Sequence, residues 1–302
     1  MVIISESLFR HKSYNTVVSK YLKEWKKWLL GALTLLNVII WLSVWQLKPK
    51  DYVQISFLDI GQGDAIYIES RNGNQVLIDG GPDKKVLEEL SKTMPFLDRS
   101  IDLVIESHPD KDHIGGLPDV VERYRVGAFL EPGVESANSV DDELKLRLKG
   151  KKVNGYLARR GMIVDMGDGS YLEILFPDRD VSGLETNDAS IVAKYVFDST
   201  CILLTGDSPT KIEDYLVKHY GSGMKCDVLK AGHHGSKTST GDNFINAVAP
   251  ELAIISAGKD NSYGHPHAEV IERLQKAGMK ILSTVEEGTI KITSDGEKMT
   301  VK

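Results

Sequence analysis

The run Ser107-His108-Pro109-Asp110-Lys111-Asp112-His113-Ile114-Gly115-Gly116 sets two imidazoles and two carboxylates within six residues, directly after the apolar strand-like run LVIES. A short loop at that point can turn all four side chains towards one place, whereas a regular strand or helix would scatter them. Asp207 closes a second apolar run, CILLTGDS, and His233 and His234 close a third, CDVLKAGHHGS. Each has an ordinary reading by itself: Asp207 as a cap for the helix starting at Pro209, and the histidine pair as a strand-end turn around one buried ring. Taken together, His108, Asp110, Asp112, His113, Asp207 and one of His233 and His234 suit two divalent cations bridged by a carboxylate and a water. Such a pair brings a water's pKa near neutrality and stabilises both oxygens of a displacement. The reaction class this implies is hydrolysis, with Asp112 as the carboxylate on which activity is expected to depend.

Positioning these groups requires strands whose C-terminal ends share a sheet edge. After Asp51, short β-branched runs alternate with helical patterns: VQISFLD, AIYIES, QVLID, a helix from Lys84 to Lys92, then LVIES. The second half continues with YLEILF, IVAKYVF, CILLTGD, a helix from Pro209 to His219, CDVLK, a helix near Phe244 to Val248, LAIIS, a helix from Ala268 to Lys276, KILS and TIKIT. Hairpins and crossovers together predict an α/β fold with mixed sheets covered by helices. Gly133 to Lys152 is the most linker-like stretch, and nothing there forces a domain boundary. Cys201 and Cys226 lie in apolar strand-like segments without metal-ligand spacing, which favours buried free thiols over a bridge.

The 302 residues carry 37 basic and 43 acidic side chains, a net of -6 that conceals two unlike pieces. Residues 1–50 hold eight Lys/Arg against Glu6 and Glu24, a net of +6, and the remaining 252 residues carry -12. Composition at 41% hydrophobic and 26% charged excludes a disordered tail, a collagen-like fibre and a disulfide-stapled miniprotein. Trp28 to Leu47 contains no ionisable group, and as a helix would span roughly 30 Å, the thickness of a bilayer core. Trp25, Trp28, Trp41 and Trp45 suit interfacial belts, with Asn37 the one awkward residue. An uncleaved signal anchor is favoured over a cleaved signal peptide or a buried helix, because the run is long and no Ala-x-Ala-like site follows it. Lys20, Lys23, Lys26 and Lys27 precede the span, against Lys48 and Lys50 after it. The expected division is therefore a basic cytoplasmic N-terminus at 1–27, a transmembrane anchor at 28–47 and an extracytoplasmic domain at 51–302.

The motifs Leu58 to Ala65, Ile78-Asp79-Gly80-Gly81, Ser107 to Gly116, Asn187-Asp188-Ala189-Ser190, Thr205-Gly206-Asp207, His233-His234-Gly235-Ser236 and Tyr263-Gly264-His265-Pro266-His267 resemble those of the metallo-β-lactamase superfamily, in family order. More narrowly, they resemble the C-terminal domain of ComEC-type competence proteins, the DNA-uptake channels of transformable bacteria. The resemblance runs from about Val53 to Ile292. It implies a four-layer αββα sandwich behind a single transmembrane helix, and a metal-dependent hydrolase, first a phosphodiesterase or nuclease acting on DNA. A small phosphodiester or ester hydrolase of the same fold, and a non-catalytic DNA-uptake accessory protein, are the alternatives. One span cannot form a pore, so a DNA-uptake role implies a separate channel protein as partner.

Two departures bear on the metal. Asp110 stands where the superfamily signature has its second histidine, and Asn187 where many members supply a third. Oxygen donors shift preference from Zn2+ towards Mn2+ or Mg2+, and Asn187 is expected either as a direct ligand or as a hydrogen-bonding support. Asp59 and Asp79, beside glycines at strand ends, are expected to brace ligand-bearing loops. His265 is placed to protonate a leaving oxygen or meet a phosphate; Ser236, Lys237 and His267 are candidates for substrate contact. The basic cluster Lys145, Arg147, Lys149, Lys151, Lys152, Arg159 and Arg160 is either a polyanion's approach or an ordinary solvated face.

Overall fold

The computed structural model describes residues 6–46 and 50–302. The chain divides into two compact units, Met1–Lys48 and Pro49–Lys302. In the first, Glu6–Gln46 is one helix, about 60 Å long at the α-helical rise. Its stretch Glu24–Leu42 has a mean hydropathy of 1.3 and is long and apolar enough to cross a membrane. Asn37 donates to the Leu33 carbonyl at 2.9 Å and Thr34 to that of Leu30 at 2.9 Å, so both polar side chains are satisfied by the helix's own backbone. Leu47 and Lys48, the end of the expected span and the first cation after it, lie outside the described residues, as do residues 1–5.

The second unit contains two sheets. In spatial order the first is β15 (Met299–Val301), β14 (Ile290–Ser294), β1 (Val53–Phe57), β2 (Ile66–Glu69), β3 (Gln75–Ile78), β4 (Ser100–Ile105), β5 (Arg125–Glu131) and β6 (Asn154–Leu157). The second is β13 (Lys280–Ser283), β12 (Leu252–Ile255), β11 (Val228–Lys230), β10 (Thr200–Leu204), β9 (Val192–Phe197), β8 (Tyr171–Phe176) and β7 (Ile163–Asp165). Each sheet is antiparallel on one side and parallel on the other, the parallel parts running β3 to β6 and β10 to β13.

The two-residue period of strands sorts their side chains between layers. Val53, Ile55 and Phe57 of β1 and Ile202 and Leu204 of β10 belong to one core between the sheets. Leu77 of β3 and Leu203 of β10 face the other way, into cores beneath helices. Helices Lys85–Thr93, Leu117–Arg123 and Ser139–Lys151 cover the first sheet through Val86, Leu90, Val120 and Leu144. Helices Thr210–Tyr220, Asp242–Val248 and Ala268–Lys276 cover the second through Leu216, Phe244 and Val270. The result is the four-layer αββα sandwich.

Two sequence expectations are corrected. The linker-like stretch contains the helix Ser139–Lys151, whose first turn is capped by Asn138 Oδ1 accepting from Val140 N at 3.0 Å. Its buried residues are Asp141, Leu144 and Leu148, an inner face too thin to stand out as a period. Cys201 and Cys226 form a disulfide rather than free thiols. The parallel register Ile202↔Val228 sets the starts of β10 and β11 side by side, with the two Cα atoms 5.0 Å apart. That proximity comes from topology and is invisible in linear order.

Candidate metal centre

The parallel halves of both sheets deliver their C-terminal ends to one cleft. From the first sheet, β3 leads into Asp79, and β4 leads through the loop of His108 and Asp110 into the one-turn helix Lys111–Ile114, which carries Asp112 and His113. From the second, β10 leads into Asp207 and β11 into His233 and His234. Asp79, His233 and His234 hold left-handed backbone, with φ of 60°, 48° and 55°. For non-glycine residues this costs about 1–3 kcal/mol each and persists only where surrounding contacts dictate it. A Cβ on Gly63 (φ 126°) would collide with the Asp112 carbonyl. Glycine there lets the 58–65 loop close on the ligand loop, where Asp64 N donates to Asp112 O at 3.3 Å.

The side chains converge on Asp207. Its Oδ1 lies 3.3 Å from His113 Nε2, and its Oδ2 lies 3.4 Å from His234 Nε2, 3.6 Å from His233 Nε2 and 3.9 Å from His108 Nε2. Asp112 Oδ2 is 3.3 Å from His234 Nε2, and Asp110 Oδ2 is 3.6 Å from His108 Nε2. Behind them, Asp79 accepts from Ser107 N at 2.8 Å and from Ser107 Oγ at 2.7 Å, and lies 2.8 Å from His113 Nδ1. Asp79 therefore fixes His113 with its Nε2 towards the cleft, the orienting arrangement usual behind a metal-ligating histidine. Ser256 O stands 3.1 Å from His234 Nδ1 and serves that ring in the same way.

Charge is concentrated accordingly. Burial works to raise the Asp207 carboxyl, but His234, His113 and His108 outweigh it and hold the group well below the usual carboxylate range. Asp112 is held at about 2: burial opposes ionisation, and the His234 hydrogen bond and the neighbouring imidazoles overcome it. His113 is raised well above its ordinary value by Asp207 and Asp79, and His234 to about 9 by Asp207 and Asp64, in both cases against burial. His265 moves the other way, to about 4, through burial and then the charges of His233 and His234.

These donors fit a divalent metal. His113 Nε2 and His234 Nε2 face each other at 3.2 Å, where one proton at most can lie between them. His108 Nε2 and Asp207 Oδ1 are buried and have no hydrogen-bond partner among the described residues. Lone pairs left open at a point where imidazoles and carboxylates meet are what a divalent ion takes up. Asp64 is also close to His113, Asp207 and His234. It lies on the Nδ1 side of His234 at 3.5 Å, and its other oxygen is paired with the fully buried Lys230. Its Oδ1 is buried without a hydrogen-bond partner among the described residues and faces the ring nitrogen of His234 that points away from Asp207.

Of the remaining candidates, Asn187 lies on a 3-10 turn, and its amide oxygen is buried without a hydrogen-bond partner among the described residues. Asp59 accepts from Gly61 N at 3.3 Å and from Lys85 Nζ at 3.1 Å. His265 lines the cleft with Gln62, Asp110, Asp112, Asp207, His233, His234 and Tyr263, its ring 5.4 Å from that of His233. His267 is 4.9 Å from His265, ring to ring, and its Nδ1 accepts from Lys237 N at 3.3 Å. Ser236 Oγ accepts from Thr238 Oγ1 at 3.0 Å, while the Lys237 side chain is exposed. Four of the seven cations of the basic cluster are paired: Lys145 with Asp141 at 2.8 Å, Arg147 with Glu143 at 2.6 Å, Lys151 with Glu122 at 3.1 Å and Arg160 with Asp178 at 3.8 Å.

The sequence profile described as the metallo-beta-lactamase superfamily matches residues 58–259, which includes every residue that converges on Asp207. The chain belongs to the metallo-beta-lactamase superfamily. Within it, the chain is similar to ComE operon protein 3 of Bacillus subtilis (strain 168), 30% identical over 254 residues that make up 78% of this chain and 32% of that protein. It is also 30% identical to Competence protein ComA of Neisseria gonorrhoeae over 240 residues, 78% of this chain and 31% of that protein. The chain thus spans about a third of the length of these relatives. Among solved structures, the metallo-beta-lactamase fold protein YhfI from Bacillus subtilis superimposes with a TM-score of 0.52 at 11% identity, covering 78% of this chain and 98% of that one. That likeness shows the fold alone.

Sequence reasoning passed over Asp64, Lys230 and Glu213. The loop after the histidine pair is held by Glu213, which accepts from Thr240 N at 2.6 Å and Gly241 N at 2.9 Å. Burial raises its carboxyl from 4.5 to about 7 despite those two bonds. Between those values the unfolded chain has released a proton that the folded chain keeps, so stability falls as pH rises through the window, by roughly 3 kcal/mol. Glu213→Gln is expected to remove that component: urea midpoints at pH 5 and pH 8 should differ less in the variant than in the wild type. Equal pH dependence in both proteins would contradict the assignment.

Proposed function

We propose that the protein is a membrane-anchored, extracytoplasmic, divalent-metal-dependent hydrolase that acts as a phosphodiesterase on DNA. The observation that carries the reading is the convergence of His108, His113, His234, Asp112 and Asp207 from both sheets, with buried lone pairs left open between them. A pair of divalent ions in such a donor set would supply Lewis-acid stabilisation and an activated water. His108, Asp110, Asp112, His113, His234 and Asp207 would hold the ions. Asp79 and Ser256 keep the two central imidazoles turned inwards. His265 is neutral at pH 7, so it meets an incoming oxygen as an uncharged donor or acceptor. Similarity to competence proteins favours DNA. The helix Glu24–Leu42 and the Cys201–Cys226 disulfide favour an anchored domain in an oxidising compartment, with a separate channel protein as partner in uptake.

One observation favours a second reading, a small phosphodiester as substrate. The cleft is lined largely by acids and histidines, and four of the seven cations in the cluster Lys145 to Arg160 are spent on ion pairs, which weakens the domain's attraction for a polyanion. The test is cleavage of single-stranded DNA, double-stranded DNA and a small chromogenic diester by the full chain in detergent, with Mn2+, Mg2+ or Zn2+. DNA cleavage abolished by Asp112→Asn is the expected result. Cleavage of the small diester alone would favour the second reading, and no metal-dependent cleavage of any substrate would leave the accessory role.

A further inference from the structure

Tyr263 stands at the mouth of the cleft, 63% exposed, with its ring stacked on that of His265 at 5.6 Å between centroids and 21° between planes. Its loop is held in place: Asn261 Oδ1 accepts from Tyr263 N at 3.1 Å and His265 N at 3.0 Å, and Asn261 Nδ2 donates to Gly258 O at 2.9 Å. The ring is therefore presented rather than loose, in a cleft that also holds Asp112 and Asp207. His265 also lines a second cleft of about 630 Å3, with Lys259, Pro266, Ile271 and Gln275 among its walls, a size that admits a small ligand.

We propose that Tyr263 is a stacking platform for an unpaired nucleobase flanking the scissile phosphate, so that the site selects phosphodiesters carrying an aromatic base in a single-stranded setting. This rests on the phosphodiesterase reading. An aromatic ring beside a phosphate-binding site supplies sequence-tolerant affinity, because every base has a π-face. A paired base has its faces occupied by its neighbours and cannot reach the ring without unstacking. Choline-type or other non-aromatic diesters gain nothing from it. Tyr263 acts here by binding, without touching the reacting atoms.

The test uses the full chain in detergent and two thymidine oligonucleotides, one intact and one with tetrahydrofuran abasic residues on both sides of the scissile linkage. With Mn2+ the wild type is expected to show a KM about tenfold lower for the intact strand, the size of one base-aromatic stack. In Tyr263→Ala the ratio of the two KM values should fall towards one, and in Tyr263→Phe it should return, since the ring and not the hydroxyl carries the effect. A second readout needs no catalysis: 2-aminopurine fluorescence in a short single strand should be quenched by the wild type and Tyr263→Phe and not by Tyr263→Ala. Quenching equal in all three proteins, or equal KM values for both strands in the wild type, would overturn the platform. Cleavage of neither strand would count against the phosphodiesterase reading, while the quenching would still decide the role of Tyr263.

Discussion

Asp207→Asn is expected to lower metal-dependent cleavage by on the order of 10^3-fold or more, the loss that follows when charge stabilisation worth several kcal/mol is removed. Among the described cleft residues Asp207 is the one carboxylate within 4 Å of four imidazoles, and it is buried, whereas Asp112 and Asp110 each meet one. The amide keeps the shape and removes the charge that His113 and His234 answer. Both imidazoles owe their raised affinity for protons largely to Asp207, and the same attraction would hold a cation. Steady-state cleavage by wild type and variant at matched folded fraction, judged by circular dichroism, measures the effect. A variant within tenfold of the wild type would place the metal elsewhere.

The second large effect concerns stability. Lys230 and Asp64 form an ion pair in which both side chains are buried, joining β11 of one sheet to the 58–65 loop of the other. Burial works against the Asp64 charge, and Lys230 is the largest influence that maintains it, holding the carboxyl well below its ordinary value. Lys230→Met removes the largest of the charges that keep that buried carboxylate ionised, leaving His234 and His113 near it, which costs up to about 3–5 kcal/mol. Replacing both partners, Asp64→Asn with Lys230→Met, removes the orphaned charge and should recover most of the loss. Urea unfolding of the full chain in detergent at pH 7 provides the comparison. The single variant should unfold at markedly lower urea than the double, and a single variant as stable as the wild type would show that the pair carries no such weight.

The sequence and the structure agree most where a local pattern determines the answer. The run VQISF forms a strand because Val53, Ile55 and Phe57 alternate with polar residues and line one face, and QVLI because Val76 and Ile78 fill the core between the sheets while Leu77 fills the one beneath the helices. Helices Lys85–Thr93 and Ala268–Lys276 emerge from clear amphipathic spacing. Arg125–Glu131 is less legible, since its interior Gly127 and terminal charges disguise a strand that pairs with β4 along most of its length. Histidines and aspartates at strand ends announce a site, but which strands lie next to one another is a property of the whole fold. For that reason the orientation of Asp79 on His113, the position of Asp64 behind His234 and the closeness of Cys201 to Cys226 are not apparent in linear order. A lysine closing the apolar run CDVLK was a usable sign, because an ammonium buried in a strand requires a carboxylate partner. The basic cluster Lys145 to Arg160 stands out in the sequence; the fold pairs Lys145, Lys151 and Arg160 of it with acids on two helices and on the loop after β8.

The most direct test of the metal centre is calorimetric titration of Mn2+ into the metal-stripped full chain in detergent, with Asp207→Asn alongside. Saturable uptake of about two ions per wild-type chain, lost or strongly weakened in the variant, is the predicted result. No uptake by the wild type, or identical uptake by both proteins, would contradict the assignment of His108, Asp112, His113, Asp207 and His234 as a divalent-metal site.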